Sequence, residues 1–377
     1  MKVLLINSVC GIGSTGKICA ALADEFAREG HEVRIAYGRD GTVPEKYKKY
    51  AYRIGNDVGV RVHAVRTRLM DDHGFASGYA TRKFLKWAEE YQPDLLWLHN
   101  LHGYYLHVGM LFDWIKKHPD MQVKWTLHDC WAFTGHCVHF VYARCEKWKT
   151  GCSDCPESRM YPASILRDNS RENYERKKNA FTGVKNMELI VPSRWLGALV
   201  KESFLGEYPV QVCYNTVDTR VFCPTPGNFR EKYGLTGKTV ILGVAGIWTE
   251  RKGFDDFIKL AQILDERYAV VLVGLNDRQL RTLPRGIIGL GRTRNARELA
   301  ELYSSADVLF NPTYEDTYPT VNLEAEACGT RVVTYDTGGC AETIHRADSK
   351  VIPVGEYRLL PVLLKEENGV EPSGDTD

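Results

Sequence analysis

No apolar run in this 377-residue chain approaches the ~20 residues that a membrane-spanning helix needs, so no spanning segment is expected. Nor does the start, MKVLLINSVCG, resemble a secretory leader; it is too short and Gly-rich, and it reads as a first strand. Net charge is close to absent, at +1 from 49 Lys and Arg against 48 Asp and Glu, so charge alone gives no reason to expect a nucleic-acid partner. These absences lead to the expectation of a cytoplasmic protein whose membrane contact, if any, is peripheral and on the inner face. Cysteine is not scarce: there are eleven, and in a reducing compartment they argue for thiols or a metal rather than disulfides. With 44% hydrophobic and 26% charged residues, the composition is globular, and the length suits two domains.

Short apolar runs alternate with longer amphipathic segments. KVLLIN is followed by a helical pattern over residues 16–29 and then by HEVRIAYG; DLLWLHN and VKWTLHD come later. This rhythm predicts a parallel sheet with helices on both faces. A second set begins after residue 210, with strands KTVILGVAG, YAVVLVGL, DVLFNPT and TRVVTYD separated by helical segments. The fold class is therefore α/β, with two Rossmann-like, doubly wound domains expected to face one another across a cleft. The expected divisions are 1–210, 211–355 and a polar, disordered tail at 356–377. Turn residues cluster in CYNTVDTRVFCPTPGNF, which reads as the hinge.

VCGIGSTGKI, from residue 9, contains G-x-x-x-x-G-K but has Ile18 where a P-loop carries a metal-ligating Ser or Thr. Three readings stay open, the first being a degenerate P-loop that binds ATP. The turn can present backbone N–H groups at Gly13 and Ser14 to an anion, aided by the positive end of the following helix, or it can serve only strand–helix packing.

GVAGIWTERKGFDDF places Arg251 and Lys252 directly before Gly253 and a helix, where two cations suit a diphosphate or form a solvated basic turn. In NPTYEDTYPTVNLEAEACGTRVV, seven residues separate Asp316 from Glu324. Pro319 suits a first helical turn, which puts Asp316 in the preceding loop and Glu324 about a turn inside. N–H groups at Tyr318, Thr320 and Val321 are then expected to point at a phosphate, and a carboxylate can accept from two vicinal sugar hydroxyls.

To about residue 345 the chain resembles retaining GT-B glycosyltransferases of glycosyltransferase family 4. The family's Glu-x7-Glu element followed by EAMACGTPVV corresponds to Asp316-x7-Glu324 and EAEACGTRVV. NTVDTRVF matches the family's hinge at Asn215, Asp218 and Phe222, with Thr216 in place of Gly; VPSRW and TGGCAETI match two further elements. The resemblance implies transfer of a hexosyl group, with retention, from a nucleotide-diphosphate sugar (UDP more than GDP) to a saccharide acceptor, polyprenyl-diphosphate-linked, in bacterial surface-polysaccharide synthesis. It implies that catalysis needs no cofactor or metal. By the same resemblance, Glu324 would hold the ribose hydroxyls, Asp316 would face the transferred sugar, and Arg251 and Lys252 would neutralise the leaving diphosphate. The Gly13 loop would close over the diphosphate, His128 would lie near the reacting sugar, and Gly291 and Arg292 would flank the base. Asp316 is a methylene shorter than the family's Glu, and Gly246-Ile247 lacks the family's arginine, a role the resemblance passes to Arg251.

The segment over 128–156, HDCWAFTGHCVHFVYARCEKWKTGCSDCP, resembles an insert in transferases of the colanic acid and capsule type. Cys152-x2-Cys155 has knuckle spacing, and Cys137 and Cys145 could complete a structural Cys₄ zinc site, with His136, His139 and Cys130 as alternatives. Free thiols packed in a loop are the other reading. In HNLHGYYLH, His99, His102, Tyr104 and Tyr105 could meet a sugar or lipid-linked acceptor, or form a packed loop.

Overall fold

Apolar runs become strands here because both faces of the sheets are covered, so along central strands such as Lys2–Asn7 and Tyr268–Val273 nearly every residue is buried. The computed structural model describes residues 1–366. The chain divides into two units, Met1–Cys213 and Tyr214 onward. In chain order the first unit contains β1 (Lys2–Asn7), α1 (Gly13–Arg28), β2 (Glu32–Tyr37), β3 (Ala51–Arg53), α2 (Asp57–Met70), α3 (Gly78–Tyr91), β4 (Leu95–Leu98), α4 (Val108–Lys116), β5 (Gln122–Thr126), α5 (Ser170–Phe181), β6 (Met187–Val191), α6 (Arg194–Glu202) and β7 (Val210–Val212). Its seven strands are all parallel, in the order β3-β2-β1-β4-β5-β6-β7. Successive residues of β1 serve opposite faces. Leu4 and Ile6 join a core with Phe112, Trp125 and Phe181, while Val3 and Leu5 join one with Val33 and Ile35.

The second unit contains α7 (Phe229–Lys232), β8 (Thr239–Val244), α8 (Phe254–Ile263), β9 (Tyr268–Val273), α9 (Asp277–Thr282), β10 (Ile287–Leu290), α10 (Ala296–Ser304), β11 (Val308–Asn311), α11 (Thr320–Ala327), β12 (Arg331–Tyr335), β13 (Lys350–Ile352) and α12 (Leu359–Glu366). Its strands are also parallel, in the order β10-β9-β8-β11-β12-β13. Each sheet reverses its winding once, between β1 and β4 in the first and between β8 and β11 in the second, and a crevice opens outside the carboxyl ends of the strands at such a point.

Three expectations are corrected. The division falls after Cys213 rather than residue 210, because β7 pairs with β6 and closes the first sheet. The helix expected over 16–29 starts at Gly13, which takes φ +64°. The expected tail from residue 356 carries α12, whose Leu360 and Leu364 are fully buried in the second unit's core; residues 367–377 lie outside the described residues.

Candidate functional site

The predicted site residues fall into two groups, one at the switch point of each unit. In the second unit, β8 leads through Gly246 into a single turn at Glu250–Lys252. Gly253 follows with φ +73°, and a Cβ there would lie 2.3 Å from the Pro312 carbonyl oxygen, so only glycine lets this turn press against the loop after β11. The Arg251 carbonyl accepts from the Tyr314 N–H at 2.8 Å and from Thr313 Oγ1 at 3.2 Å. This stitching sets two cations opposite two acids. Arg251 Nη1 meets Glu315 Oε1 at 2.6 Å, and Lys252 Nζ meets Asp316 Oδ2 at 2.7 Å.

The two pairs differ in exposure. The Arg251 side chain is 16% exposed and engaged by a Glu315 side chain that is 5% exposed, so it braces the loop. The Lys252 side chain is 38% exposed. Burial disfavours its ammonium, but the charge and hydrogen bond of Asp316 outweigh burial and raise its pKa, so it stays cationic. Asp316 is held from both ends. Its Oδ1 accepts from the Tyr318 N–H at 3.1 Å and its carbonyl from the Gly339 N–H at 3.0 Å. A Cβ on Gly338 would fall 1.9 Å from that carbonyl oxygen.

Pro319 immediately precedes α11, and no side chain caps the helix, so the N–H groups of Thr320 and Val321 head it with no helical carbonyl before them. The Tyr318 N–H, expected to point outward with them, is taken by Asp316 instead. Glu324 lies just over a turn inside α11, and the hydroxyl of buried Tyr303 on α10 donates to its Oε2 at 2.9 Å, fixing the carboxylate's direction. Arg292 is exposed in the loop after β10, whose backbone is tied down by the Gly274 N–H donating to the Gly291 carbonyl at 3.3 Å. Glu315 and Tyr303 were missed in the sequence, because nothing about their spacing shows what they touch.

In the first unit, Gly13 and Ser14 are exposed at the start of α1, which has no side-chain cap and no acid in its first turn. Gly16 serves packing: a Cβ there would fall 2.9 Å from Val9 Cγ2. Lys17 is exposed. His128 follows β5, and its Nε2 lies 3.1 Å from Nδ1 of His99, which follows β4 and is buried. Burial, with the nearby His102, lowers the His128 pKa to about 4 against the pull of Asp129, so the ring is neutral at physiological pH. A second chain runs beside it: Tyr161 Oη lies 3.1 Å from His102 Nδ1, and His102 Nε2 lies 2.8 Å from Asp129 Oδ2. Burial raises the Asp129 pKa, but the charge and hydrogen bond of His102 reverse this and hold it at about 2. HNLHGYYLH is split between its two readings. Tyr105 is buried and donates to the Asn100 carbonyl at 2.8 Å, whereas His102 and Tyr104 are part-exposed. Asp129 and Tyr161 were not singled out in the sequence.

The zinc expectation is not met. Among the described residues, no group of three or more His, Cys, Asp and Glu is arranged to hold a metal ion. Cys137, Cys145, Cys152 and Cys155 are free thiols that line one small cavity. Cys137 hydrogen-bonds to Cys155, and the Gly135 N–H donates to Cys152 Sγ at 3.2 Å. Other contacts order the segment. His136 Nδ1 meets Asp71 Oδ1 at 2.5 Å, and the buried Lys177 donates to the Trp131 and Thr134 carbonyls at 2.8 and 3.0 Å.

The Glycosyltransferase Family 4 model matches residues 15–221, and a second, Glycosyl transferases group 1, matches residues 238–358. WcaC of Escherichia coli strain K12, assigned to colanic acid biosynthesis as a glycosyl transferase, is 26% identical over 285 residues, covering 73% of this chain and 68% of that protein. The N,N'-diacetylbacillosaminyl-diphospho-undecaprenol alpha-1,3-N-acetylgalactosaminyltransferase of Campylobacter jejuni is 30% identical over 125 residues, 32% of each chain. Among solved structures, sucrose-phosphate synthase from Thermosynechococcus elongatus superposes with a TM-score of 0.70 at 18% identity over 97% of this chain and 89% of that one. Anabaena HepE in complex with UDP gives 0.66 at 15% identity over 98% and 91%. No helix among the described residues is long and apolar enough to cross a membrane. With the first family model covering more than half its length, the chain belongs to glycosyltransferase family 4 and is a glycosyltransferase of the GT-B type.

Proposed function

We propose that the protein transfers a hexosyl group, with retention and without a metal, from a UDP-sugar to a saccharide acceptor carried on a polyprenyl diphosphate, in the synthesis of a bacterial surface polysaccharide. The observation that carries this reading is the Lys252–Asp316 pair, at 2.7 Å, beside the uncapped start of α11. A cation and helix-end amides together suit the charge that grows on a departing diphosphate. The relative that bears an undecaprenol diphosphate in its name and the HepE complex with UDP support the acceptor and donor classes.

In this mechanism the bond from the anomeric carbon to the diphosphate oxygen breaks as the acceptor oxygen approaches on the same face. The acceptor's proton passes to the departing phosphate oxygen. Lys252 and the Thr320 and Val321 amides stabilise that phosphate, Asp316 orients the sugar, and Glu324 accepts from the ribose hydroxyls. Within the first unit, neutral His128 offers a hydrogen bond to a sugar, and Gly13 and Ser14 offer amides to an anion.

A thermal-shift panel with UDP, GDP, ADP and ATP, each with and without Mg²⁺, tests the donor. UDP at 100 times its dissociation constant should stabilise the protein by about 2.7 kcal/mol with or without Mg²⁺. Stabilisation by ATP with Mg²⁺ alone would overturn the reading and return attention to the Gly11–Lys17 turn. Tyr303→Phe should weaken UDP-sugar binding about tenfold with no change in fold, because Glu324 loses the hydrogen bond that aims it; unaltered affinity would remove Glu324 from the ribose.

A further inference from the structure

The helix α2 carries an apolar stripe on the wrong side for a core. At roughly 100° per residue, Val58, Val62, Val65 and Leu69 fall within an arc of about 60°. They are 43–67% exposed, with Leu69 lowest and Val58 highest. The opposite side, with His63 and Thr67, is the buried one. A second segment extends the stripe. The Ile165 N–H donates to the Arg68 carbonyl at 2.7 Å, setting Ile165 and Leu166 beside the end of α2, where they are 56% and 74% exposed. Two stretches about a hundred residues apart thus build one apolar surface, and contiguous patches of this kind mark interaction sites.

Cations rim the surface. On the helix, Arg61 and Arg68 fall to one side of the stripe and Arg66 to the other; Arg159 and Arg167 bracket the second segment, and all five are exposed. Of the nearby acids, Asp57 is paired with Arg53, Asp72 with Arg66, and Asp168 accepts from the Cys155 and Ser170 N–H groups. An apolar stripe with arginine on both sides matches the interface of an anionic bilayer, acyl chains beneath and headgroups beside. A second copy of the same face is disfavoured, since self-pairing would set arginine against arginine.

We propose that α2 and residues 159–167 form the surface by which this protein docks on an anionic membrane. Tyr161, in the same segment, lies 3.1 Å from His102. The docking surface therefore adjoins the His102–Asp129 pair, where a bilayer-held acceptor headgroup would arrive; this purpose rests on the function proposed above.

The test is flotation of the full protein with vesicles of phosphatidylglycerol and phosphatidylcholine, or of phosphatidylcholine alone. Binding is expected only with the anionic lipid. Val62→Asp with Leu166→Asp should reduce it at least tenfold. Arg61→Gln with Arg68→Gln should reduce it about 25-fold, at about fivefold per arginine. Melting temperatures and stabilisation by UDP should be unchanged, and the arginine pair decides the matter if the aspartate pair misfolds. Equal binding by the variants, no binding by the wild type, or a dimer that the aspartate pair dissolves would each overturn the proposal. A protein that binds UDP but no vesicles loses only the docking surface; one that binds vesicles but no nucleotide loses only the donor reading.

Discussion

Lys252→Ala is expected to lower kcat by two to three orders of magnitude, read as transfer or as slow hydrolysis of the donor, while leaving the urea midpoint nearly unchanged. Removing one donor aimed at developing charge costs about 10²–10³ in rate when the site is preorganised. Lys252 is preorganised, because its turn is stitched to the loop after β11 and Asp316 fixes its ammonium. Asp316 keeps its bond from the Tyr318 N–H when the lysine is gone, so the loop should survive. Arg251→Ala should behave the other way. It leaves the Glu315 carboxylate buried without its guanidinium, and breaking such a pair costs about 3–5 kcal/mol. Stability should fall in that variant before turnover does. A Lys252→Ala enzyme with kcat within threefold of wild type would remove the lysine from the leaving group.

Acid should unfold the first unit well before the second. His63, His73, His99, His107 and His128 all have pKa values lowered chiefly by burial, His63 to about 3 and His128 to about 4. Their unfolded value is about 6.5. Below that pH the unfolded chain binds protons that the folded chain refuses, so stability falls as pH falls. Each such histidine adds up to about 1.4 kcal/mol per pH unit, and five together set an upper limit of about 7 kcal/mol per pH unit. His136 works in the opposite sense. Asp71 outweighs burial and raises its pKa, so its contribution is complete below about pH 6.5 and is lost only as pH rises. Asp129, held at about 2, keeps its contribution throughout this window. Of the eleven histidines, only His345 lies in the second unit, and its side chain is 61% exposed. Urea curves at pH 7, 6 and 5 should therefore change from one transition to two, the earlier one reported by tryptophans of the first unit. Curves that stay superimposed would show that these rings are charged or accessible in the native state.

The parts readable in the sequence were those that local pattern dictates. KVLLIN and YAVVLVGL read as buried strands, and Pro319 marked the start of α11 before any contact was known. What could not be read depends on which side of an element faces the core. Val58, Val62, Val65 and Leu69 have the spacing of any core-facing helix, and spacing does not say that the opposite side is the buried one. Glu315 looked like one more acid beside Asp316 until Arg251 was seen to claim it. The polar residues that end the chain hid α12, whose short LLPVLLKE carries Pro361 and spreads its apolar residues too widely to form a stripe. The cysteines spaced like a metal knuckle, but spacing alone does not bring four thiols onto one point.

The strand orders also bear on how the chain is made. In each sheet a strand leaving the ribosome finds its neighbour already synthesised: β2 joins β1 and β3 joins β2, then β4 takes the other side of β1 and β5, β6 and β7 follow outward. The second sheet grows in the same way from β8, first toward β10 and then toward β13. Every strand after the first of its sheet finds a partner already made upstream, so few unpaired edges are left for another nascent chain to capture. The longest wait is for β4, which closes onto β1 only after α1, β2, β3, α2 and α3 have emerged, and a pause in translation there would leave the oldest strand with one edge open.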